Sequence, residues 1–400
     1  MGAPTTTTAF PWLGLLTLAG AIFVSVTSEF LPTGLLPEMA EGLDVSQSRI
    51  GLLVTVFAGT VVLSAAPLAS LTRRFPRKPL IVIVLVAFAI TNFMGALAPN
   101  YEIVVLSRVF GGLAHGLFWA VVGAYPGHLV QKGQLTRAVA ITSAGGSVAF
   151  VLGVPAGTAL GHALGWRPAF TVVGIAILML AVLVVKFLPP VSHIDQLRTG
   201  EIPLPLRRDP SLLGVALICL ITTIVMIGHN LYYTYIVPFF TGVNGFSTDA
   251  VSLLLLVYGL AGAVGLLLVG MIGGRFPRAA LLGGFVLVGA SVLTMALLPG
   301  NPVVVIIALV VWGAAFGGIP ALLQTRILHT ASRQLRDVSA ALLTTSFNIG
   351  IGGGALVGSL LLDGYGLPTL PFADVAITVC GILLIVVSDR VIRRRAARSR

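Results

Sequence analysis

Charge is what this chain has least of. Charged residues make up 9% of its 400 positions and hydrophobic residues 57%, where a soluble domain carries about 25% charged. Such a chain cannot cover a water-facing surface of its own, so a soluble globular protein is excluded and a bilayer is its natural solvent. Cysteine is nearly absent. Cys219 and Cys380 both lie inside apolar runs, so neither a disulfide framework nor a metal site follows. There is no HExxH pair, no phosphate-binding loop and no nucleophile elbow, which excludes the common enzyme classes and a primary pump. No cofactor is expected. The net charge of +11 does not imply a nucleic-acid partner, because the basic residues sit in short loops between apolar runs, where they act as a topology signal.

Apolar runs dominate what remains. They fall at about 11–36, 50–71, 79–98, 102–124, 136–160, 168–188, 211–238, 249–272, 279–298, 302–325, 336–361 and 368–388. Each is long enough to cross a hydrocarbon core of about 30 Å as a helix rising 1.5 Å per residue. The first run has no basic n-region and is too long for a secretory h-region of about 7–15 residues, so it reads as a mature span. Every Lys and Arg except Arg49, Arg108 and Arg167 lies in the even-numbered loops or the tail. That asymmetry predicts a multi-pass protein of the cell inner (plasma) membrane with both termini cytoplasmic.

The chain repeats itself. Arg-Phe-Pro-Arg occurs at 74–77 and at 275–278, and at the same offset Gly112, Gly116, Gly153, Gly157, Gly165 and Pro37 meet Gly313, Gly317, Gly354, Gly358, Gly366 and Pro238. Matched membrane halves point to a transporter built by duplication. The expected fold is an all-α polytopic membrane protein with twelve transmembrane helices in two pseudo-symmetric six-helix bundles. The bundles span 1–188 and 211–388, joined by a Pro- and charge-rich cytoplasmic linker at 189–210. A basic cytoplasmic tail at 389–400 is placed against anionic lipid headgroups.

One position breaks the match: Glu29 has Asn230 as its partner. Glu29 reads as the only acid well inside a span, with Asp363 and Asp374 near the outer ends of the last two helices. An intramembrane acid costs roughly 2.5–3.5 kcal/mol on insertion scales, and holding a proton sheds part of that cost, which suits a proton carrier. Arg108 falls at a depth compatible with Glu29, so a direct or water-bridged pair between them is expected. Arg108, Gly112, His115 and Trp119 form one stripe on helix four. In this stripe His115 is either a substrate or proton-relay group or a neutral histidine bonded to a neighbouring helix. On helix seven, Asn230 and Tyr233 are the favoured cavity residues. Trp312 and Phe316 supply either an aromatic surface or packing, and Asn348 is a further polar candidate, with Gln324 weaker. Phe30 and Thr33, beside Glu29, complete the expected substrate-binding set. Gly153 and Gly157, with Pro155 between them, and Gly354 and Gly358 are expected at close helix contacts, either where one half slides on the other or as static packing. Arg74 and Arg77 are expected to take part in gating.

These segments resemble the major facilitator superfamily, and within it the twelve-helix drug:proton antiporter branch that includes bacterial arabinose, sugar and chloramphenicol exporters. The resemblance rests on Ser28-Glu29-Phe30 with Gly34-Leu35-Leu36-Pro37, on Arg108 with Gly111, Gly112, His115 and Gly116, on Gly153, Pro155, Gly157, Gly165, Trp166 and Arg167, and on Phe347, Asn348 and Gly350. The loop between helices two and three departs from it: Thr72 and Arg73 stand where the family has an Asp-Arg pair, and Pro76 stands near its glycine. In helix five, Ala149 replaces the first glycine. The resemblance implies a monomer working by alternating access, with protons, a small-molecule substrate and membrane lipids as partners. The leading expectation is proton-driven efflux of a small, mostly apolar drug. Sugar or nucleoside export and uptake by proton symport are the alternatives.

Overall fold

The structure is a computed structural model describing residues 10–72, 74–131, 134–191, 209, 211–272, 275–332 and 335–398. Most of the 189–210 linker and the side chains of the tail from 391 onward lie outside the described residues, so the expectations placed on them do too.

The described residues hold twelve helices long and apolar enough to cross a membrane. They are α1 (Trp12–Gly34), α2 (Gln47–Leu71), α3 (Arg77–Ala96), α4 (Tyr101–Leu129), α5 (Arg137–Leu164), α6 (Trp166–Phe187), α7 (Leu212–Tyr233), α8 (Thr248–Met271), α9 (Pro277–Leu297), α10 (Pro302–Thr330), α11 (Val338–Tyr365) and α12 (Leu367–Arg390). An even number of crossings puts both chain ends on one face, here called the terminal face; the other is the far face.

Local chemistry marks the repeat as clearly as the tetrapeptide does. Asn100 and Asn301, 201 positions apart, cap α4 and α10 through their side-chain oxygens, accepting from Ile103 N at 3.1 Å and Val304 N at 3.2 Å. Such a cap satisfies a donor the helix itself cannot. The ends of α1 and α7 also match. Each stops at the far face and restarts as a short helix, Leu36–Gly42 and Ile236–Gly242, with Pro37 and Pro238 in the new first turn. A proline there lacks only an N–H that would be unpaired anyway. Helix α5 carries a π-helical segment at Ala149–Gly153, ending two residues before Pro155.

The glycine spacings mark close contacts within each half rather than between the halves. A Cβ on Gly157 would meet Leu31 of α1, and one on Gly153 would strike Thr27 of α1. A Cβ on Gly354 would meet Asn230 of α7, and one on Gly358 would meet Leu231 and Tyr235. These glycines therefore close α5 onto α1 and α11 onto α7 inside each half, because the duplicated unit is itself held by that pair. The close approaches between halves use other glycines. Gly259 on α8 faces the Phe150 backbone of α5, Gly352 on α11 faces Ala58 of α2, and Gly51 on α2 faces the Tyr235 ring. Thr55 Oγ1 donates to the Gly352 carbonyl at 2.8 Å, and Ser252 Oγ lies 3.4 Å from His162 Nδ1. Both hydrogen bonds join the halves, and both lie in the far-face half of the spans.

Candidate functional site

Pro32 sets up the site. It lies inside α1 and has no N–H, so the Ser28 carbonyl one turn earlier lacks its helical donor. Arg108 of α4 supplies one: Nη1 donates to the Ser28 carbonyl at 3.1 Å and Nη2 to the Glu29 carbonyl at 2.8 Å. The guanidinium also lies over the Phe57 ring, 4.0 Å from its centroid. Arg108 and Glu29 are therefore in one layer, at the compatible depth counted from sequence, but the contact runs to backbone. A direct carboxylate–guanidinium salt bridge is not formed, because the carbonyl opened by Pro32 claims the cation.

The Glu29 carboxyl turns instead to His115. Oε2 lies 3.4 Å from His115 Nε2, and both side chains are buried. Two other groups fix the imidazole. Trp119 Nε1, a donor only, reaches His115 Nε2 at 2.7 Å, and Ser25 Oγ lies 2.9 Å from Nδ1. The indole N–H makes Nε2 an acceptor, so the ring proton sits on Nδ1 and is donated to Ser25. The imidazole in this arrangement is neutral. With that lone pair taken by the indole N–H, Nε2 offers the Glu29 carboxyl no donor, so an ionised carboxylate there gains no hydrogen bond from the imidazole. Behind it, Ser28 Oγ donates to Asn92 Oδ1 at 2.8 Å, and Asn92 Nδ2 donates to the Phe88 carbonyl at 2.8 Å. This anchors α1 to α3.

Phe30 is where the halves meet in the middle of the bundle. Its ring lies 4.9 Å from Phe150 of α5 and 6.4 Å from Tyr233 of α7. Across that junction, His229 stacks on Phe316 at 3.4 Å and on Tyr233 at 5.3 Å, with Trp312 at 5.4 Å. So Phe30, Tyr233, Trp312 and Phe316 belong to one aromatic assembly, with His229 at its centre. Trp312 is fully buried and Phe316 half-buried. Thr33 is buried beside Gly34 and its hydroxyl has no partner. Asn230 is buried and bonds its own helix, Nδ2 donating to the Met226 carbonyl at 2.9 Å. Asn348 does likewise to Thr344 at 3.0 Å, leaving Oδ1 buried without a partner.

Sequence reasoning missed Asp374. It was placed near an outer end, yet it is 1% exposed, inside α12 and against Gly228 of α7. Among the described residues its only hydrogen bond is from Thr378 Oγ1 to Oδ1 at 3.2 Å, and Oδ2 has no partner. Seven residues of helix bring it about 10 Å below the far-face start of α12, and that count was the signal available.

The terminal face holds two polar ties. Asp389 at the end of α12 lies 2.6 Å from Arg278 Nε and 2.5 Å from Arg326 Nη2. Arg278 belongs to the second Arg-Phe-Pro-Arg copy, so the acid missing from that loop comes from another helix. The repeat mate of Asp389 is Leu188, and Arg74 is exposed and Arg77 half-buried in the first copy. The second tie is Asp209, just before α7. Its Oδ1 accepts from the Ser211 hydroxyl at 2.6 Å and from Ser211 N at 2.8 Å, and its Oδ2 accepts from the Ser332 hydroxyl at 2.5 Å. The Ser211 and Ser332 hydroxyls, with the Ser211 N–H, hold the Asp209 carboxyl below its ordinary range.

Comparison with known proteins places this arrangement. Residues 18–248 and 218–400 match the Major Facilitator Superfamily. A protein of Helicobacter pylori (strain G27) called a probable sugar efflux transporter is 30% identical over 355 residues, covering 89% of this chain and 90% of that protein. Its counterpart in strain ATCC 700392 / 26695 is 31% identical over the same length. Among solved structures, a bacterial homologue of the human lysosomal transporter Spinster, inward-facing and occupied, superposes with a TM-score of 0.79 at 16% identity, covering 96% of this chain and 98% of that one. A nucleoside transporter superposes with a TM-score of 0.75 at 14% identity, covering 94% and 99%.

Proposed function

This chain belongs to the Major Facilitator Superfamily, and from that premise we propose that it is a proton-driven exporter of small hydroxylated molecules of the sugar class. It is a multi-pass membrane carrier and not an enzyme. The observation that carries the coupling is the Glu29 carboxyl facing a neutral His115 whose Nε2 already accepts from Trp119. A site so arranged welcomes a proton on Glu29 and penalises its loss until the surroundings change.

The cycle follows from the two halves. The ties between them lie toward the far face, so this is the state closed on that side. The cationic loops put the terminal face in the cytoplasm of an inner membrane, and the closed side is then the outside. Rocking the halves exposes Glu29 outward, where it loads a proton as substrate leaves; the return stroke delivers the proton to the cytoplasm. One proton moved down 100 mV supplies about 2.3 kcal/mol, enough for roughly a fiftyfold substrate gradient. One chain carries both halves, so a monomer suffices.

The sugar class is favoured by the probable sugar efflux transporters that the chain resembles and by buried polar atoms left without partners on α7, in the aromatic assembly, and on α11. His229 Nδ1 and Asn348 Oδ1 are buried without partners, and ligand hydroxyls both donate and accept. A second reading, export of apolar drugs, is favoured by the Phe30, Phe150 and Tyr233 rings at the junction of the halves. The test is transport in proteoliposomes under an imposed pH gradient, offering pentoses, hexoses, nucleosides and lipophilic drugs in parallel. Sugar moving against its gradient, opposite to the protons, is expected. Drug movement without sugar movement selects the second reading, and sugar moving with the protons makes the protein an uptake symporter.

A further inference from the structure

The buried carboxyl of α12 is not used by the cycle above, and its setting resembles that of Glu29 in one respect that the repeat makes visible. Asp374 Oδ1 packs on Gly228 of α7, where a Cβ would approach it to 3.0 Å. Gly228 is the repeat mate of Thr27, and the next two residues, His229 and Asn230, are the mates of Ser28 and Glu29. The C-terminal half therefore lacks the acid in its first helix and carries one at the same layer from its last. We propose that Asp374 is a second proton-binding carboxyl, one in each half, that takes up and releases a proton separately from Glu29.

The surroundings give the reasons. Asp374 has no salt bridge, and its only bond comes from the neutral Thr378 hydroxyl. An unpaired charge in such a place is costly and unionised acid is the form accommodated. The groups facing it from neighbouring helices are Tyr232 on α7 and Tyr258 on α8. On α9 the only charged side chain is Arg278, committed to Asp389 at the opposite end of α12. On α11, Asp363 is exposed near the far face. No cation therefore competes with the proton for Asp374 among the described residues. A static packing role does not explain the rest of the cluster. Tyr232 and Tyr258 are buried, and both hydroxyls lack partners. Tyr258 lies 5.5 Å from Tyr233, ring to ring, and Tyr233 is the residue that meets Phe30 beside Glu29. Tyr258 interacts electrostatically with both Asp374 and Tyr233, so its unpartnered hydroxyl, able to accept and donate, stands between the acid and the junction of the halves.

The experiment is infrared difference spectroscopy of the reconstituted Glu29→Gln protein, titrated between about pH 5 and 9, with and without carboxyl-labelled aspartate. Glu29 is absent there, so the outcome is independent of whether Glu29 couples transport. The expected result is a protonated-carboxyl band that shifts on aspartate labelling and loses intensity as pH rises. A labelled band that does not change across the range would overturn the proposal, leaving a permanently protonated structural acid. Absence of any labelled band would overturn it as well. Adding Asp374→Asn removes the band if the assignment holds; should that double variant fail to fold, Asp374→Glu in its place abolishes the aspartate-label shift of the band, and a shift that persists would overturn the assignment.

Discussion

Arg108 is bonded to Glu29 through the backbone carbonyl, at 2.8 Å, and not through the carboxylate. The same guanidinium satisfies the Ser28 carbonyl that Pro32 leaves open. The cation is thus a fixed part of α1, and the carboxyl stays free to bind or release its proton against His115.

That arrangement predicts energetic coupling between Arg108 and Pro32. Removing Arg108 strands a buried carbonyl, at a cost of about 1–3 kcal/mol. In a Pro32→Ala background, the restored N–H takes the Ser28 carbonyl. Arg108→Ala is therefore expected to lower thermal stability more in the parent than in Pro32→Ala, with a coupling energy of roughly 1 kcal/mol. Thermal midpoints of the four proteins in detergent measure it; additive losses would contradict the assignment.

The glycine contacts predict a graded series. An added methyl at Gly354 meets the Asn230 Cβ and the Ile227 carbonyl, both at 2.7 Å. Neither can swing aside, so Gly354→Ala should cost about 1–3 kcal/mol. At Gly157 the methyl meets only the tip of Leu31, which can change rotamer, and the loss should be smaller. At Gly59 nothing lies within 4 Å, and alanine there should be neutral or slightly stabilising through helix propensity. Thermal unfolding of the three variants gives the order.

Much of this was legible in the sequence, for reasons the structure makes plain. Twelve spans and their duplication were readable because bilayer length and helix rise constrain every run alike, and because a repeat keeps its glycines wherever helices touch. Phe30, Tyr233, Trp312 and Phe316 were named as candidates and do share one assembly. Side-chain partnership was not legible. Whether Glu29 faces Arg108 or His115 depends on rotamers and on a carbonyl freed by Pro32, and neither shows in spacing. Asp374 was overlooked because a linear count sees depth and not the packing around it. The partners of Gly153 and Gly354 were not legible, because a small-residue stripe says that something comes close, not which helix it is.

Asp209 carries a pH prediction at the terminal face. Its carboxyl is held below the ordinary range by the Ser211 and Ser332 hydroxyls. A depressed value means the tie is present above the unfolded-state pKa, about 3.9 for Asp, and is lost as pH falls through the lower folded value. Ser332→Ala should therefore lower thermal stability at neutral pH, and its difference from the parent should shrink in strong acid. A difference that grows toward low pH would have the wrong sign for this tie.

The account stands on Glu29 exchanging its proton between the two faces. The most direct measurement compares Glu29→Gln with the parent in two proteoliposome assays: substrate counterflow at equal pH, and accumulation driven by a pH gradient. The predicted result is that counterflow persists while pH-driven accumulation falls to the level of protein-free vesicles. Accumulation undiminished in Glu29→Gln would contradict it and place the coupling elsewhere in the chain.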